Sequence, residues 1–422
     1  MLHIRKLKKS VFTKSLQFVI FIVMKIELDT IQNDLLKTGM KLASAISHFK
    51  APGNRLYQAY LVGGCVRDIV RWKLGQIEFP EIHDIDIATN MPIAELQKNF
   101  RTASNNGEAH GTILVFMDGI PFEVTQFRTD GKYTDGRRPD TVKFTDDFMQ
   151  DCARRDFTIN AIGLTGNGIV FDYFGGIKDI ERKWIRAVGD PVQRFSEDTL
   201  RIMRGIRFMI NFDYGISDKT FEAMKTVVDK YKWKLDTMLS YPRIRDEISK
   251  VKTNHAGYFG ILEKTGILNW LVAFRDMDKK NLILRLMRVP HVDSNNVFAI
   301  IAFGEDKNTL HRLAGTREDS RLLKWYNYMA KKLDETQENM SWDSVVKFVE
   351  GDYKAVLAMT QKIPAWHNRI KPALQLAKDK PDMKAITKAV QDAGTKPGPK
   401  FGLAVDALVE TDYVEKANKL KF

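Results

Sequence analysis

The sequence has few of the residues on which several classes of protein depend. Only two cysteines, Cys65 and Cys152, occur among 422 residues, which excludes a disulfide framework and favours a reducing compartment. There is no Cys-x-x-Cys pair and no cysteine–histidine cluster, so a zinc site is not expected. The apolar run 18–24 is too short to cross a bilayer. Internal repeats and low-complexity tracts are also missing, and the composition indicates an ordinary soluble globular protein.

Positive charge is what the chain has in excess. Lysine and arginine total 66 against 53 aspartate and glutamate, a surplus of 13. This surplus suits a polyanion such as RNA or DNA, although many soluble proteins are simply basic. Residues 1–26 contain no acidic residue. They are interpreted as a dispensable extension before a true start at Met24 or as an organelle transit peptide. The expected location is cytoplasmic, or mitochondrial in the second case.

The patterns of the two halves differ. Helix and strand signals alternate up to about residue 190, and helical patterns alone continue from Asp190-Pro191 to the end. The sequence therefore predicts an α+β fold, a mixed head followed by a long helical part. In the head, the predicted elements are a helix over 28–49, a strand over 60–62, a helix over 66–74, a strand over 82–88, a hairpin of 112–117 and 122–127, and a mobile loop over 129–140.

Three carboxylates are candidate metal and catalytic residues. Asp84 and Asp86 alternate on a predicted strand, so both side chains face one way. The apolar residues Ile85, Ile87 and Ala88 are expected to bury the opposite face. Two close carboxylates repel unless a cation lies between them, and Mg²⁺ prefers oxygen ligands together with substrate phosphates. Glu123, on a neighbouring predicted strand, would complete a two-metal site, or is an ordinary solvated residue.

Two further clusters suit a nucleotide. Gly63-Gly64 follows a strand and precedes a helix, where glycine lets backbone N–H groups approach a phosphate. Arg67 would bind a triphosphate oxygen, although a Gly-Gly pair alone is more often just a turn. Arg154-Arg155-Asp156 would read a ribose, because aspartate accepts from hydroxyls and arginine donates to oxygens. The alternative is a surface salt bridge of little energetic value.

A stripe of charged residues lies on a predicted helix. Asp198, Arg201, Arg204 and Arg207 recur every three residues, which places Asp198 and Arg201 side by side. An ion pair between these two is one interpretation. The other is base recognition, in which the carboxylate accepts from the exocyclic amine of C or A and the guanidinium donates to the adjacent ring acceptor. The other two arginines would then face phosphates or RNA.

Taken in order, these motifs resemble the class II nucleotidyltransferase family of CCA-adding tRNA nucleotidyltransferases and bacterial poly(A) polymerases. The resemblance covers about residues 60–250, and beyond 260 only GPKFGLAVDALVE (398–410) is similar. The matching segments are GGCVRD (63–68), DIDIAT (84–89), GEAHGTILV (107–115), YTDGRRPDTVKF (133–144), RRDFTINA (154–161), FDYFGGIKDI (171–180), EDTLRIMRGIRF (197–208) and SYPRIRDEI (240–248).

The resemblance implies a head, neck, body and tail, dependence on Mg²⁺, and no nucleic-acid template. The implied domains are an extension over 1–27, a nucleotidyltransferase head over 28–190, a base-recognising neck over 191–260 and a tRNA-binding body and tail over 261–422. By position, the implied roles are triphosphate binding for Gly64 and Arg67, metal binding for Asp84 and Asp86, nucleotide contact for Arg155, C and A selection for Asp198 and Arg201, and support for Arg204 and Arg207.

The implied function is addition of C, C and A to the 3′ end of tRNA from CTP and ATP. Poly(A) polymerase and a partial adder of CC or A share the catalytic motifs and stay open as alternatives. A silent RNA-binding protein is disfavoured, since it would have no need of repelling carboxylates. The expected partners are the tRNA 3′ end, CTP and ATP, with no membrane, for a monomer or homodimer.

Overall fold

The computed structural model divides into two compact units, Met1–Gly131 with Thr141–Gly189 and Lys132–Asp140 with Asp190–Phe422. Among the helices within the described ranges, none is long and apolar enough to cross a membrane. The structure describes residues 24–103, 111–131, 133, 141–288, 292, 297–302, 305, 309, 312–313, 376, 381–394 and 399–419.

The first unit is built on an eight-stranded sheet with the strand order β1-β10-β9-β2-β3-β6-β5-β4. All neighbouring strands are antiparallel except β3 and β6, which run parallel. Its helices are α1 Asp34–Ser47, α2 Gly64–Lys73, α3 Ile93–Asn99, α4 Phe148–Ala153 and α5 Gly176–Glu181. Its strands are β1 Met24–Lys25, β2 Ala59–Val62, β3 Asp86–Thr89, β4 Thr102–Ala103, β5 Thr112–Met117, β6 Ile120–Gln126, β7 Arg128–Asp130, β8 Val142–Phe144, β9 Ile162–Leu164, β10 Ile169–Asp172 and β11 Trp184–Ile185.

The hairpin of β5 and β6 forms where the sequence predicts it. Asp118 and Gly119 make the turn with φ values of 52° and 81°, and positive φ at both central residues is what a two-residue hairpin turn of type I′ needs. Lys41 donates to both carboxylate oxygens of Asp118 at 2.8 Å. The turn fixes the register of β6 against β5, in which Leu114 pairs with Glu123.

One face of the sheet is covered by α1. The predicted helix over 28–49 is shorter in the structure, because Asn33 caps α1 by accepting from the backbone of Leu36. Gly39 lets the helix approach closely, since a Cβ there would lie 3.1 Å from Ile85 and 3.3 Å from Phe122. Ile85 and Phe122, which are next to Asp84, Asp86 and Glu123 in the sequence, therefore lie on the face of the sheet that α1 covers.

The other face holds an aromatic cluster next to Asp86. Tyr60 of β2 stacks on Phe148 of α4 with ring centroids 4.1 Å apart, and Phe127 packs against both rings. Ala88 pairs with Tyr60 and belongs to this cluster, so the expectation that Ala88 buries the face opposite the aspartates is wrong. The end of β3 that carries Asp86 therefore lies beside this aromatic cluster.

Two segments differ from their predicted state. Met24–Lys25 pairs with β10 at the sheet edge, and Ile26 is fully buried. The predicted extension over 1–27 therefore includes residues that belong to the fold. Residues 1–23 lie outside the described ranges.

In the predicted mobile loop over 129–140, β7 pairs with β8, with Arg128 opposite Phe144 and Asp130 opposite Val142. Residue 132 and residues 134–140 of that loop are also outside the described ranges.

The described residues of the second unit form helices joined by turns, with one short strand, β12 Gly215–Ile216. Asp190 caps α6 through the backbone N–H groups of Val192 and Gln193, with Pro191 in the first turn. The described helices are α6 Pro191–Glu197, α7 Leu200–Phe212, α8 Asp218–Tyr231, α9 Leu235–Met238, α10 Tyr241–Ser249, α11 His255–Lys264, α12 Lys279–Arg288, α13 Val297–Ala302, α14 Met383–Asp392 and α15 Pro399–Lys419.

Candidate active site

The Gly63-Gly64 turn brings the start of α2 against Asp86. Gly63 precedes the helix with φ 78° and ψ −144°, a conformation that is accessible essentially to glycine alone. A Cβ at Gly63 would lie 3.2 Å from Oδ2 of Asp86. Glycine is therefore needed both for the turn and for the approach of the carboxylate. Gly64 is the first residue of α2, whose N-terminal N–H groups favour an anion.

Arg67, in the first turn of α2, takes part in a network of hydrogen bonds. Its Nε and Nη2 donate to the two carboxylate oxygens of Asp68 at 3.0 and 2.7 Å, and its Nη1 donates to Oδ1 of Asn160 at 3.0 Å. Arg71 also donates to Asp68. A Cβ at Gly64 would lie 3.4 Å from Nη2 of Arg67. Arg67 is 8% exposed, so a phosphate would meet only the guanidinium edge under the turn.

The three candidate carboxylates lie at adjacent positions of the sheet. Asp86 of β3 is in register with Glu123 of β6, and neighbouring strands lie about 4.8 Å apart. Asp84 lies two residues before β3, because only the last part of the predicted strand over 82–88 belongs to the sheet. All three residues are exposed, whereas Ile85 and Ile87 are buried. The predicted separation of acidic and apolar faces is thus present at these positions.

The donor set fits Mg²⁺ held together with substrate oxygens. Within the described residues no three His, Cys, Asp or Glu side chains are close enough to hold a metal ion by themselves. The suggestion that Glu123 completes a two-metal site stays a prediction. Mg²⁺ usually keeps several waters and needs only one or two carboxylates plus phosphates, which Asp84 and Asp86 can supply.

Arg154 and Arg155 share one buried carboxylate. Nε and Nη2 of Arg154 donate to Oδ1 of Asp151 at 2.9 and 2.7 Å, and Nη2 of Arg155 donates to Oδ2 at 2.9 Å. Burial disfavours the charge of Asp151, but Arg155 and Arg154 outweigh burial and hold the pKa of this carboxyl below its ordinary value. Asp151 is fully buried, so the interpretation as a surface salt bridge is wrong.

This arginine cluster interacts electrostatically with Asp86. Burial opposes the charge of Arg155, yet Asp151 and, to a smaller degree, Asp86 raise the pKa of its guanidinium. Two arginines thus share one carboxylate, and Arg155 adds a positive charge that interacts with Asp86 of β3. Asp156 joins the same region to α2, because its Oδ1 accepts from Asn160, which in turn accepts from Arg67. The GGCVRD and RRDFTINA segments therefore form one network.

In the second unit, Asp198 lies between two helices rather than on the single helix predicted. It ends α6 with φ −143° and ψ 102°, and its Oδ1 accepts from the backbone N–H of Leu200 at the start of α7 at 3.2 Å. Its Oδ2 accepts from Arg243 of α10 at 2.7 Å. Arg201 donates through Nη1 to Oε2 of Glu197 at 2.9 Å. Each member of the predicted base-reading pair thus has a partner of opposite charge.

The other two arginines of the stripe converge on α10. Nε of Arg207 donates to Oε2 of Glu247 at 2.7 Å, and Nη1 of Arg204 lies 3.9 Å from Oε1 of the same residue. Arg207 is 8% exposed and Glu247 is 3% exposed. Arg207 therefore ties α7 to α10, and the expectation that it faces phosphates or RNA stays a prediction. Arg204 keeps a larger exposed side-chain fraction of 39%.

Comparison with known proteins gives the family. The sequence profile of the poly(A) polymerase head domain matches residues 59–186. A CCA-adding enzyme of Streptococcus pyogenes serotype M3 is 33% identical over 387 residues, which cover 85% of this chain and 89% of the relative. The chain belongs to the CCA-adding enzyme family. As a member of this family it is a nucleotidyltransferase, as the ordered motifs predict.

Solved CCA-adding enzymes share its fold. The Bacillus stearothermophilus CCA-adding enzyme in complex with CTP has a TM-score of 0.64 at 22% identity, over 92% of this chain and 98% of that one. The Thermotoga maritima CCA-adding enzyme complexed with tRNA has a TM-score of 0.61 at 18% identity, over 92% and 91% of the two chains. The predicted mixed head followed by helices is therefore the fold of CCA-adding enzymes.

Sequence reasoning missed four residues that hold this family's motifs in place. Asp151 and Glu197 could have been found, because they precede their arginines by the three or four residues that bring side chains together on a helix. Arg243 and Glu247 contact residues at least 40 positions away in the chain. Local spacing carries no signal for those two contacts.

Proposed function

We propose that this chain adds C, C and A to the 3′ end of tRNA, without a nucleic-acid template, from CTP and ATP with Mg²⁺. The observation that carries the proposal is the 33% identity to a CCA-adding enzyme over 85% of the chain. Because that length exceeds either unit, the similarity includes both the carboxylate site and the helical unit with the base-reading pair. The profile named after poly(A) polymerases covers part of the first unit alone.

In the first unit, the chain's own residues bind and orient the triphosphate. Asp84 and Asp86 would hold Mg²⁺, which when bound promotes deprotonation of the tRNA 3′-hydroxyl and neutralises phosphate charge. The N–H groups at the start of α2 and the guanidinium edge of Arg67 face the triphosphate. Arg155 adds positive charge next to Asp86. The 3′-hydroxyl attacks the α-phosphate in line and pyrophosphate leaves, so the protein contributes mainly positioning and charge.

In the second unit, Asp198 and Arg201 select the base. The carboxylate of Asp198 accepts from the exocyclic amine of C or A, and Arg201 donates to the neighbouring ring nitrogen. U and G carry a carbonyl oxygen where C and A carry the amine. That oxygen and the carboxylate of Asp198 are both hydrogen-bond acceptors and cannot pair, so U and G would be rejected.

The experiment is nucleotide incorporation on tRNA transcripts that end before CCA, after C and after CC. Each transcript is incubated with Mg²⁺ and with CTP, ATP or both, and product length is read at nucleotide resolution. We expect additions that stop at CCA. The double variant Asp84→Asn/Asp86→Asn should abolish them, while Asp118→Asn, an exposed aspartate at the hairpin turn, should not.

Product length distinguishes the alternatives. Long tails made from ATP alone would assign the chain to poly(A) polymerase, and addition limited to CC or to A would make it a partial adder. Absence of incorporation by the unaltered protein would overturn the proposal.

A further inference from the structure

The two residues of the proposed base-reading pair are held by different counter-ions. Arg243 donates through Nη2 to Oδ2 of Asp198 at 2.7 Å, and Glu197 accepts from Arg201 at 2.9 Å. The two members are one turn apart, since the backbone N–H of Arg201 donates to the carbonyl of Asp198 at 3.1 Å. Separate partners direct the carboxylate and the guanidinium independently.

We infer that Arg243 is a positioning residue for nucleotide selection, which acts by fixing the carboxylate of Asp198 as an acceptor of the C or A amine. This inference rests on the proposed function. The side chains of Arg243 and Asp198 are 21% and 17% exposed, so their pairing is largely shielded from water.

The geometry of the carboxylate supports this role. One lone pair of Oδ2 is used by Arg243, and one of Oδ1 is used by the N–H of Leu200 at 3.2 Å. A carboxylate held at both oxygens cannot rotate, yet each oxygen keeps another lone pair. Asp198 can therefore still accept from an amine, and only in a fixed direction. Without Arg243 the carboxylate would be held at Oδ1 alone and would lose that direction.

Arg243 itself stands on a rigid support. It lies in the first turn of α10, next to Pro242, and the buried Glu247 on the same helix pairs with Arg207 of α7. Nη1 of Arg243 is buried and has no hydrogen-bond partner within the described part of the chain. The hydrogen bond from Nη2 to Asp198 therefore holds this guanidinium in place, as expected of a group that orients another side chain.

The test compares kcat/KM for CTP with UTP, and for ATP with GTP, in single-nucleotide additions to the matching tRNA transcripts. The variants are Arg243→Gln, which removes the charge, and Arg243→Lys, which keeps it. Arg285→Gln is the matched control, because Arg285 is an arginine of the same unit that also donates to a carboxylate, that of Glu305 at 2.8 Å. Circular dichroism establishes that each variant is folded.

We expect Arg243→Gln to lower the C-over-U and A-over-G ratios about tenfold, equivalent to about 1.4 kcal/mol. Arg243→Lys should lower them less, and Arg285→Gln should leave them unchanged. Equal loss of rate for all four nucleotides, with unchanged ratios, would reduce Arg243 to a structural residue and overturn the inference. If the glutamine variant does not fold, an unchanged ratio in the lysine variant has the same meaning. Failure of the unaltered protein to prefer C and A would instead contradict the proposed function.

Discussion

The buried carboxylate of Asp151 is a site where changing one atom should have a large effect. Asp151→Asn replaces an oxygen with an amide nitrogen that donates hydrogen bonds, so one of Arg154 and Arg155 then meets a donor in place of its acceptor. Breaking a buried ion pair by removing one partner costs about 3–5 kcal/mol. Because the remaining amide oxygen still serves one arginine, we expect a loss near the lower limit, about 3 kcal/mol.

Hydrogen–deuterium exchange measures this loss locally, since it reports the free energy of opening of each segment. Peptides from 148–164 should exchange faster in Asp151→Asn, and peptides from α8 should not change. The control is Asp147→Asn, which changes the cap of the same helix α4, where the carboxylate accepts from Met149 at 2.9 Å. Asparagine caps a helix as well as aspartate does, so the control should stay within a few tenths of a kcal/mol.

The same variant carries a pH signature. The pKa of Asp151 in the folded chain lies below its ordinary value of 3.8. Its contribution to the free energy of unfolding is therefore complete above that value and is lost as pH falls through the lower, folded pKa. The stability difference between wild type and Asp151→Asn in urea unfolding should shrink below pH 3.8. A loss under about 1 kcal/mol at neutral pH would refute the argument from a buried ion pair.

Two further outcomes follow from the geometry. Gly63→Ala should lower kcat/KM at least tenfold, about 1.4 kcal/mol, because its Cβ would lie 3.2 Å from Asp86. Gly75→Ala should retain activity, because Gly75 also has a positive φ, 73°, but no atom lies within 4 Å of its Cβ. Equal losses in steady-state assays would contradict this. Arg207→Met should lower the free energy of unfolding by about 3 kcal/mol by leaving Glu247 buried without its closest partner. The double variant Arg207→Met/Glu247→Leu should recover most of that loss in urea titrations, and no recovery would count against the pair.

Local signals in the sequence predicted local structure well. The hairpin around Asp118-Gly119 and the strand before Gly63 were found because turn residues and short apolar runs determine them directly. The family and the mixed α+β fold are confirmed by the comparisons, since they depend on the order of several motifs. The roles assigned to individual site residues stay predictions.

Errors arose where a side chain competes with the backbone or where the partner is distant. Asp198 interrupts the predicted helix because its carboxylate bonds the N–H of Leu200, an alternative that aspartate offers to the helical pattern. Arg207 looks like a surface residue in the sequence, and its burial depends on Glu247, 40 positions later. The start of the predicted loop over 129–140 is strand because Thr129 pairs with a residue beyond the loop.

The parallel pairing of β3 with β6 determines where this chain can change in length during evolution. Side chains of a strand alternate with a period of two, so a slip of β6 by one residue would bring Phe122 or Val124 beside Asp86 and turn Glu123 to the other face. Insertions and deletions inside the β5–β6 hairpin should therefore be selected against. The connection over 75–81 ends before Asp84 and β3, and it can lengthen or shorten while the acidic residues of the sheet keep their register.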